Sequence, residues 1–437
     1  MAVRTYYKAM LTSLSALSIG GADSSITDVD IALDSRDLPV IPATSLCGAL
    51  RGLLDETSAR KVFGDLDEGE SLVRVYDATL CGGNGTVSIR DSVSLDDRVA
   101  APGLKFDREV VERGTEFRTI IEIVDERACP HAIVEELLSA LNAGEVRLGS
   151  KRTRGMGRME VSHCERVTFD LATPDGRTAW LEFSPFDDAS WESCDDVRDV
   201  TERIARQDTS SDTAHLTLTL SLAGGISVRE YTTEPESYDY SQMVVHGELD
   251  GKGNEVPLIP GTSWAGVFRD RYELLSSKQQ ACKLFGTISG ESPHASRIIF
   301  DESAIECGEW KTYTRNAIDR FTGGTTALYT QRANYGGTTE LAITVRNVDE
   351  TTADDAMPLI ATLADLHNGF LSVGGLASVG HGLFRISDAT LVVRGENHSE
   401  AFKKALMRPS DVDGLIAPDL AEAAAILVGD ANGGGDR

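Results

Sequence analysis

The sequence predicts an α+β fold: two tandem βαββαβ domains, each with a long insertion between its middle strands. Three observations predict it. The segment Ile41-Pro42-Ala43-Thr44-Ser45-Leu46-Cys47-Gly48-Ala49-Leu50-Arg51 recurs as Ile259-Pro260-Gly261-Thr262-Ser263-Trp264-Ala265-Gly266-Val267-Phe268-Arg269, a shift of 218. Four further anchors recur in the same order at shifts of 222 to 225: Phe63-Gly64 as Phe285-Gly286, Tyr76-Asp77 as Phe300-Asp301, Asp97-Arg98 as Asp319-Arg320, and Gly149, Gly155 and Gly157 as Gly374, Gly380 and Gly382. Within each copy, some segments alternate apolar and polar residues at period two, and others carry apolar residues at helical spacing.

The elements follow in order. The opening strand covers about residues 4–19 in copy one and ends at Gly20-Gly21; in copy two Leu216, Leu218, Leu220 and Leu222 alternate with Thr and Ser before Gly224-Gly225. A helix comes next. Ser45 reads as its N-cap, and Leu46, Ala49, Leu50, Leu53 and Leu54 form its apolar stripe; Trp264, Val267, Phe268 and Tyr272 do the same in copy two. A strand (Val73–Tyr76; Ile298–Phe300), a long insertion and a second strand (Phe117–Val124; Leu341–Val345) lead to a second helix. That helix covers Pro130–Ala143 and Pro358–Asn368, with proline in the first turn. A Gly-rich loop precedes the last strand, Arg158–Val161 and Leu383–Ile386. The order β-α-β-β-α-β is ferredoxin-like.

Residues 1–205 form the first domain with an acidic linker, 206–395 the second, and 396–437 a C-terminal helix (Leu420–Leu427) and a flexible tail. A polar helix is expected over about Val197–Gln207. The 437 residues carry a net charge of −27, which argues against a general nucleic-acid binder. Seven cysteines without a CxxC pair read as reduced core thiols. No apolar segment reaches membrane-spanning length, and no signal-peptide core follows Arg4 and Lys8, so a cytoplasmic protein is expected.

Three motifs carry the candidate chemistry. The start of the Ile-Pro-x-Thr-Ser helix offers backbone N–H groups and a partial positive charge; Gly48 and Gly266 leave room for a sugar-phosphate backbone, and Arg51 and Arg269 follow one turn later. Capping and close helix packing are the alternative. The loop Leu148–Val161 gathers Lys151, Arg152, Arg154 and Arg158, a phosphate-binding set or a solvated basic turn; copy two keeps the glycines but not the cations, so the glycines serve the turn itself. Acids crowd the loop before the helix. Copy one has Asp23, Asp28, Asp30, Asp34 and Asp37; copy two has Glu230, Glu234, Glu236 and Asp239 in a loop 14 residues longer. Carboxylates beside phosphates can hold Mg²⁺ or act as a base, or can simply be solvated.

The Gly-Gly, the acidic loop, the two Ile-Pro helices, Phe-Gly, the strand ending in Asp, the segment Arg315-Asn-Ala-Ile-Asp-Arg320 and the Gly-x-Gly loop together resemble the RAMP superfamily of CRISPR-associated proteins. The likeness is greatest to the backbone subunit of type III effector complexes, in tandem, over about residues 4–162 and 214–387. The resemblance implies a subunit that grips guide RNA through Ser45, Gly48, Arg51, Lys151, Arg152, Arg154, Ser263, Gly266, Arg269, Arg315 and Arg320. It implies thumb hairpins at about Ser94–Thr115 and Asn316–Thr338 that wedge between bases; Asp96-Asp97-Arg98 departs from the Ile-Asp-Arg form. It further implies cleavage of complementary target RNA through the neighbouring 2′-hydroxyl. Mg²⁺ or another divalent cation would be held by Asp28, with Asp30 the alternative, and by Asp239 in copy two. Implied partners are guide RNA, target RNA and the other effector subunits (a large polymerase-like subunit, a small subunit and further RAMP subunits) in antiviral defence.

Three other readings stay open: a guide-binding scaffold that cuts nothing, an RNA-processing endoribonuclease using His246 or His381 as base, and an acidic assembly module.

Overall fold

A computed structural model describes residues 3–21, 29–65, 69–96, 99–206, 212–231, 238–287 and 293–429; residues 91–106 and 231 are described by their backbone alone. The chain divides into two compact units, residues 1–152 with 156–209 and residues 153–155 with 210–437.

The first unit is built around β1 (Val3–Ser13), whose Tyr7, Ala9 and Leu11 are fully buried. Its elements in order are β2 (Val40–Ile41), α1 (Ala43–Arg51), α2 (Glu56–Phe63), β3 (Val73–Val75), β4 (Ala78–Gly83), β5 (Val87–Asp96), β6 (Val99–Val111) and β7 (Thr115–Ile123). They continue with α3 (His131–Ala143), β8 (Met159–Asp170), α4 (Pro174–Glu182), α5 (Asp188–Glu192), β9 (Arg198–Asp199) and α6 (Thr201–Arg206). The sheet runs β2-β4-β7-β1-β8-β9, with β3 also on β7; β1 pairs antiparallel with both β7 and β8. The core order β8-β1-β7-β3 is the ferredoxin-like one. β5 and β6 leave it as a separate two-stranded hairpin.

Alternation along β1 gives the sheet two apolar faces. Tyr7, Ala9 and Leu11 pack with Leu46 and Leu50 of α1 and Leu137, Leu138 and Leu141 of α3. Tyr6 points the other way, into a cluster with Val167, Phe169 and Trp191 that Trp180 and Phe183 cover. Trp180 Nε1 donates to the Tyr6 hydroxyl (3.0 Å), and Asp188 accepts from Arg118 (2.6 Å). The acidic stretch expected to be a linker is therefore in large part a cover for the sheet's second face, whose aromatics would otherwise stand in water.

The second unit repeats the plan: β10 (Thr213–Ala223), β11 (Gly225–Ile226), β12 (Arg229–Tyr231), β13 (Tyr240–Gln242), β14 (Val244–Leu249), β15 (Glu255–Ile259), α7 (Gly261–Leu275), α8 (Lys278–Phe285), β16 (Ile298–Phe300) and β17 (Ser303–Glu306). β18 (Glu309–Ile318), β19 (Thr325–Tyr335), β20 (Thr338–Arg346), α9 (Ala353–Asn368), β21 (Leu383–Val393), β22 (Glu396–Asn397), α10 (Ser399–Leu406) and α11 (Leu420–Leu427) complete it. Strands β21, β10, β20 and β16 stand in the same order as their counterparts. Trp264 and Phe268 of α7 fill the core against Phe300 and Phe384, and Trp264 Nε1 donates to Ser303 Oγ (3.1 Å). Phe402, Leu406, Ile426 and Leu427 of α10 and α11 belong to this core. The expected tail beyond residue 429 lies outside the described residues. Among the described residues no helix is long and apolar enough to cross a membrane.

Four expectations need correction. β1 ends at Ser13, not near residue 19. Ser45 is not the N-cap: Pro42 is, and it offers no side-chain cap, so the carboxylate of Asp77 takes the Ala43 N–H instead (2.6 Å). Pro358 lies inside α9 rather than in its first turn, because a capping box between Thr352 and Asp355 starts the helix earlier. The polar helix of the linker is shorter than expected, Thr201–Arg206, with β9 before it.

Candidate nucleic-acid interface

The two Ile-Pro helices present glycine outward. Gly48 and Gly266 are exposed, and a Cβ added to either would meet nothing within 4 Å. An interior helical glycine costs about 1 kcal/mol relative to alanine, so nothing in the fold of either unit accounts for the missing side chain. The arginines have a different role. Arg51 Nη1 donates to the Gly64 carbonyl (3.0 Å) and Arg269 Nη1 to the Gly286 carbonyl (3.3 Å). Gly64 and Gly286 share φ 76° and ψ 169°, and a Cβ would strike backbone at 2.9 and 2.6 Å. The repeated Arg and Phe-Gly are thus two ends of one structural bond. Ser45 and Ser263 sit in the first helical turn, their N–H groups donating to Pro42 and Pro260 (2.9 Å each).

The Gly-rich loops are held identically. Leu148 and Val373 N–H groups donate to the carbonyls of Gly157 and Gly382, and Gly157 and Gly382 in turn donate to Ala16 and Gly225. A Cβ at Gly157 or Gly382 would lie 1.8 or 2.0 Å from a backbone oxygen. The glycines serve the turn, as the loss of cations in copy two implied. Lys151 and its counterpart Leu376 are both left-handed (φ 50° and 62°), an unusual conformation for such side chains. Arg152 and Arg154 stand exposed on a one-turn 3-10 helix, whereas Arg158 donates to the Asn142 carbonyl (3.4 Å).

Both thumbs are hairpins, and they begin earlier than expected, at Val87 and Glu309. Asp97 and Arg98 lie outside the described residues. At the second tip Asp319 Oδ1 accepts from Phe321 N (2.8 Å) and Thr322 N (2.7 Å), which holds its carboxyl below the usual range. This turn leaves Phe321 99% exposed, beside exposed Arg320 and with Ile318 and Leu328 also largely in solvent.

The acidic loop of each unit meets its thumb. Asp28 lies outside the described residues; Asp30 is half-buried, and its carbonyl accepts from Gly21 N (3.0 Å). Val29 forms a parallel bridge with Arg108 of β6, and Tyr240 pairs in parallel with Gln331 of β19, the counterpart of Arg108. By this register the residue before Tyr240, Asp239, corresponds in sequence to Asp28, and Ser241 to Asp30. Asp239 is exposed, and its Oδ2 accepts the Thr330 N–H (2.6 Å). His246 pairs with Glu230 (2.7 Å). Among the described residues no three His, Cys, Asp or Glu gather as a metal cage.

One feature escaped the sequence reading. Lys311, Tyr313 and Arg315 of β18 share a face with Tyr329 and Tyr335 of β19, forming a ladder of cations and tyrosines. Lys311 Nζ lies 5.1 Å from the Tyr335 ring, Arg315 5.6 Å from Tyr313, and Arg229 4.5 Å from Tyr240, which stacks on Tyr329. Only Arg315 had been singled out. The signal was present as a Lys-x-Tyr-x-Arg alternation at period two.

A structure solved by cryo-EM, type III-B Cmr-beta bound to cognate target RNA, is similar at 22% identity over 37% of this chain and 60% of that chain, with a TM-score of 0.32. No curated protein matches the sequence. The family model for the RAMP superfamily matches residues 10–160 and 242–385, one stretch in each unit. On that match, which covers more than half of its length, the chain belongs to the RAMP superfamily.

Proposed function

We propose that this chain is a double-copy backbone subunit of a type III CRISPR effector, in which each half grips a stretch of guide RNA and cleaves the complementary target RNA. The observation that carries the reading is the open glycine on both Ile-Pro helices, Gly48 and Gly266, which no internal contact requires. A phosphodiester backbone lying on that face needs the space that a side chain would fill. Arg152 and Arg154 supply phosphate contacts in the first half, and the Lys311–Arg315 ladder supplies cations and stacking surfaces in the second. Phe321, lifted clear of the hairpin, is shaped to enter between bases.

Cleavage rests on Asp28 and Asp239. A single carboxylate suits one anionic ligand of a divalent cation such as Mg²⁺, which keeps most of its waters and leans on RNA phosphates. Such an ion would supply charge neutralisation at the scissile phosphate. The chain's own task is positioning: the thumb and helix hold guide and target so that the 2′-hydroxyl faces that phosphate. The bond from Thr330 to Asp239 favours a second reading, a scaffold in which the second half binds without cutting.

The test is cleavage of a guide-matched RNA by chain copurified with its guide. Asp28→Ala and Asp239→Asn should each erase one regularly spaced cut and leave guide RNA bound. Cleavage that survives both substitutions rejects the assignment, and a chain that carries no short RNA rejects the whole reading. The acidic remainder of the surface faces solvent or basic partner subunits in this account.

A further inference from the structure

The two thumbs are rooted differently. In the first unit the root is a buried ion pair: Arg90 Nη2 donates to Glu112 Oε2 at 2.6 Å, Ser88 donates to the other oxygen, and Ala16, Val110 and Met156 close over the strand in an apolar cluster. The bridge Leu17–Val111 and the pair Ile226–Asn334 set the correspondence between units, so Glu112 is replaced by Tyr335, Arg90 by Tyr313 and Met156 by His381. His381 is 4% exposed, and one of its ring nitrogens, Nε2, shares a hydrogen bond with the Tyr335 hydroxyl (3.1 Å). Its Nδ1 and the Tyr313 hydroxyl are buried with no partner. Gly225 makes the pairing possible, since a Cβ there would lie 2.6 Å from the Tyr335 ring and 2.9 Å from His381.

We propose that the second thumb is a movable arm latched at its root by neutral His381 on Tyr335, and that protonation of His381 releases it, whereas the first thumb stays fixed. The charges facing the ring come from the thumb itself: Arg315 acts on His381 directly, and Lys311 sits over Tyr335. Among the described residues, Tyr313 and Tyr335 are the other titratable groups packed there, and burial raises the Tyr335 pKa above its ordinary value. Burial first, and Arg315 second, pull the His381 pKa below its ordinary 6.5. The sign follows. The latched form binds fewer protons than the open form, so the latch holds at neutral pH and loosens as pH falls below about 6.5. The unpartnered Nδ1 and hydroxyl leave this root less satisfied than an ion-paired one, which keeps the opening small in cost.

Amide hydrogen exchange on the full chain, corrected for intrinsic rates, tests this at about pH 7.5 and about pH 5.5. Residues 309–335 should lose about tenfold protection at the lower pH relative to residues 87–90 and 107–111, and clearly more than β10 and β20, which report unfolding of the whole unit. His381→Phe should abolish the pH response, and Tyr335→Phe should give the loosened thumb already at neutral pH. Equal responses of both thumbs, a loss as large in β10 and β20 as in residues 309–335, or an unchanged response in His381→Phe would each overturn the proposal. None of these readouts needs bound RNA, so they stand or fall apart from the functional reading above.

Discussion

Asp239 and Thr330 are joined twice: the Asp239 N–H donates to the Thr330 carbonyl (2.8 Å), and the Thr330 N–H donates to Asp239 Oδ2 (2.6 Å). The acid read from sequence as a cleavage residue is therefore fixed to the returning strand of the thumb. Asp239→Asn keeps an acceptor and removes the charge, whereas Asp239→Ala removes both. We expect the Asn variant to unfold like the parent and the Ala variant to lose about 1 kcal/mol. Urea unfolding checks this. If the carboxylate acts in cleavage, both variants lose the corresponding cut; if it only braces the thumb, the Asn variant cuts normally.

Arg51→Ala and Arg269→Ala should each destabilise their own unit by about 1–2 kcal/mol, since each leaves a glycine carbonyl without its charged donor. Thermal unfolding reads the loss. Guide RNA affinity measured well below the melting temperature should change little. A large affinity loss without a stability change would return these arginines to the RNA contacts first inferred for them.

The exposed cations of the first loop give a salt signature. Arg152→Ala and Arg154→Ala should each reduce the slope of log affinity against log salt by about 0.7 to 1. Filter binding across a salt series measures it. An unchanged slope for both would assign the cluster to solvent.

Acid should weaken the second unit through another histidine. His367 Nδ1 accepts the Ile386 N–H (3.1 Å), which requires a neutral ring, and burial together with Arg385 lowers its pKa below 6.5. The folded unit then binds fewer protons than the unfolded chain, so stability declines as pH falls below about 6.5. His367→Asn, which can keep the acceptor, should flatten that decline in melting curves taken across the range.

Much of this molecule was legible because duplication prints each motif twice. The strand order, both Ile-Pro helices and the Gly-rich turns follow from spacing and alternation, and the two thumbs from the resemblance to the RAMP superfamily. The roles were harder to read. Arg51 looked like a phosphate ligand because its partner Gly64 is distant in sequence, and only folding brings the α2 C-terminus beside it. Ser45 looked like a cap because proline has no capping side chain; the cap comes from Asp77 across the sheet. The acidic stretch looked like a linker because its burying contacts, Trp191 and Val197 in the cluster around Tyr6, are long-range. The tyrosine ladder is a cross-strand property, visible only once β18 and β19 are in register.

The central claim is that the Ile-Pro helices keep glycine for a ligand and not for the fold. Gly48→Ala with Gly266→Ala tests it most directly, by melting temperature and guide RNA affinity on the same samples. Alanine should meet no atom of the protein at either site. The account predicts a chain more stable by about 0.5–1 kcal/mol per site that binds guide RNA at least about tenfold more weakly, about 1.4 kcal/mol. A variant that gains stability and binds guide RNA as tightly as the parent would contradict it.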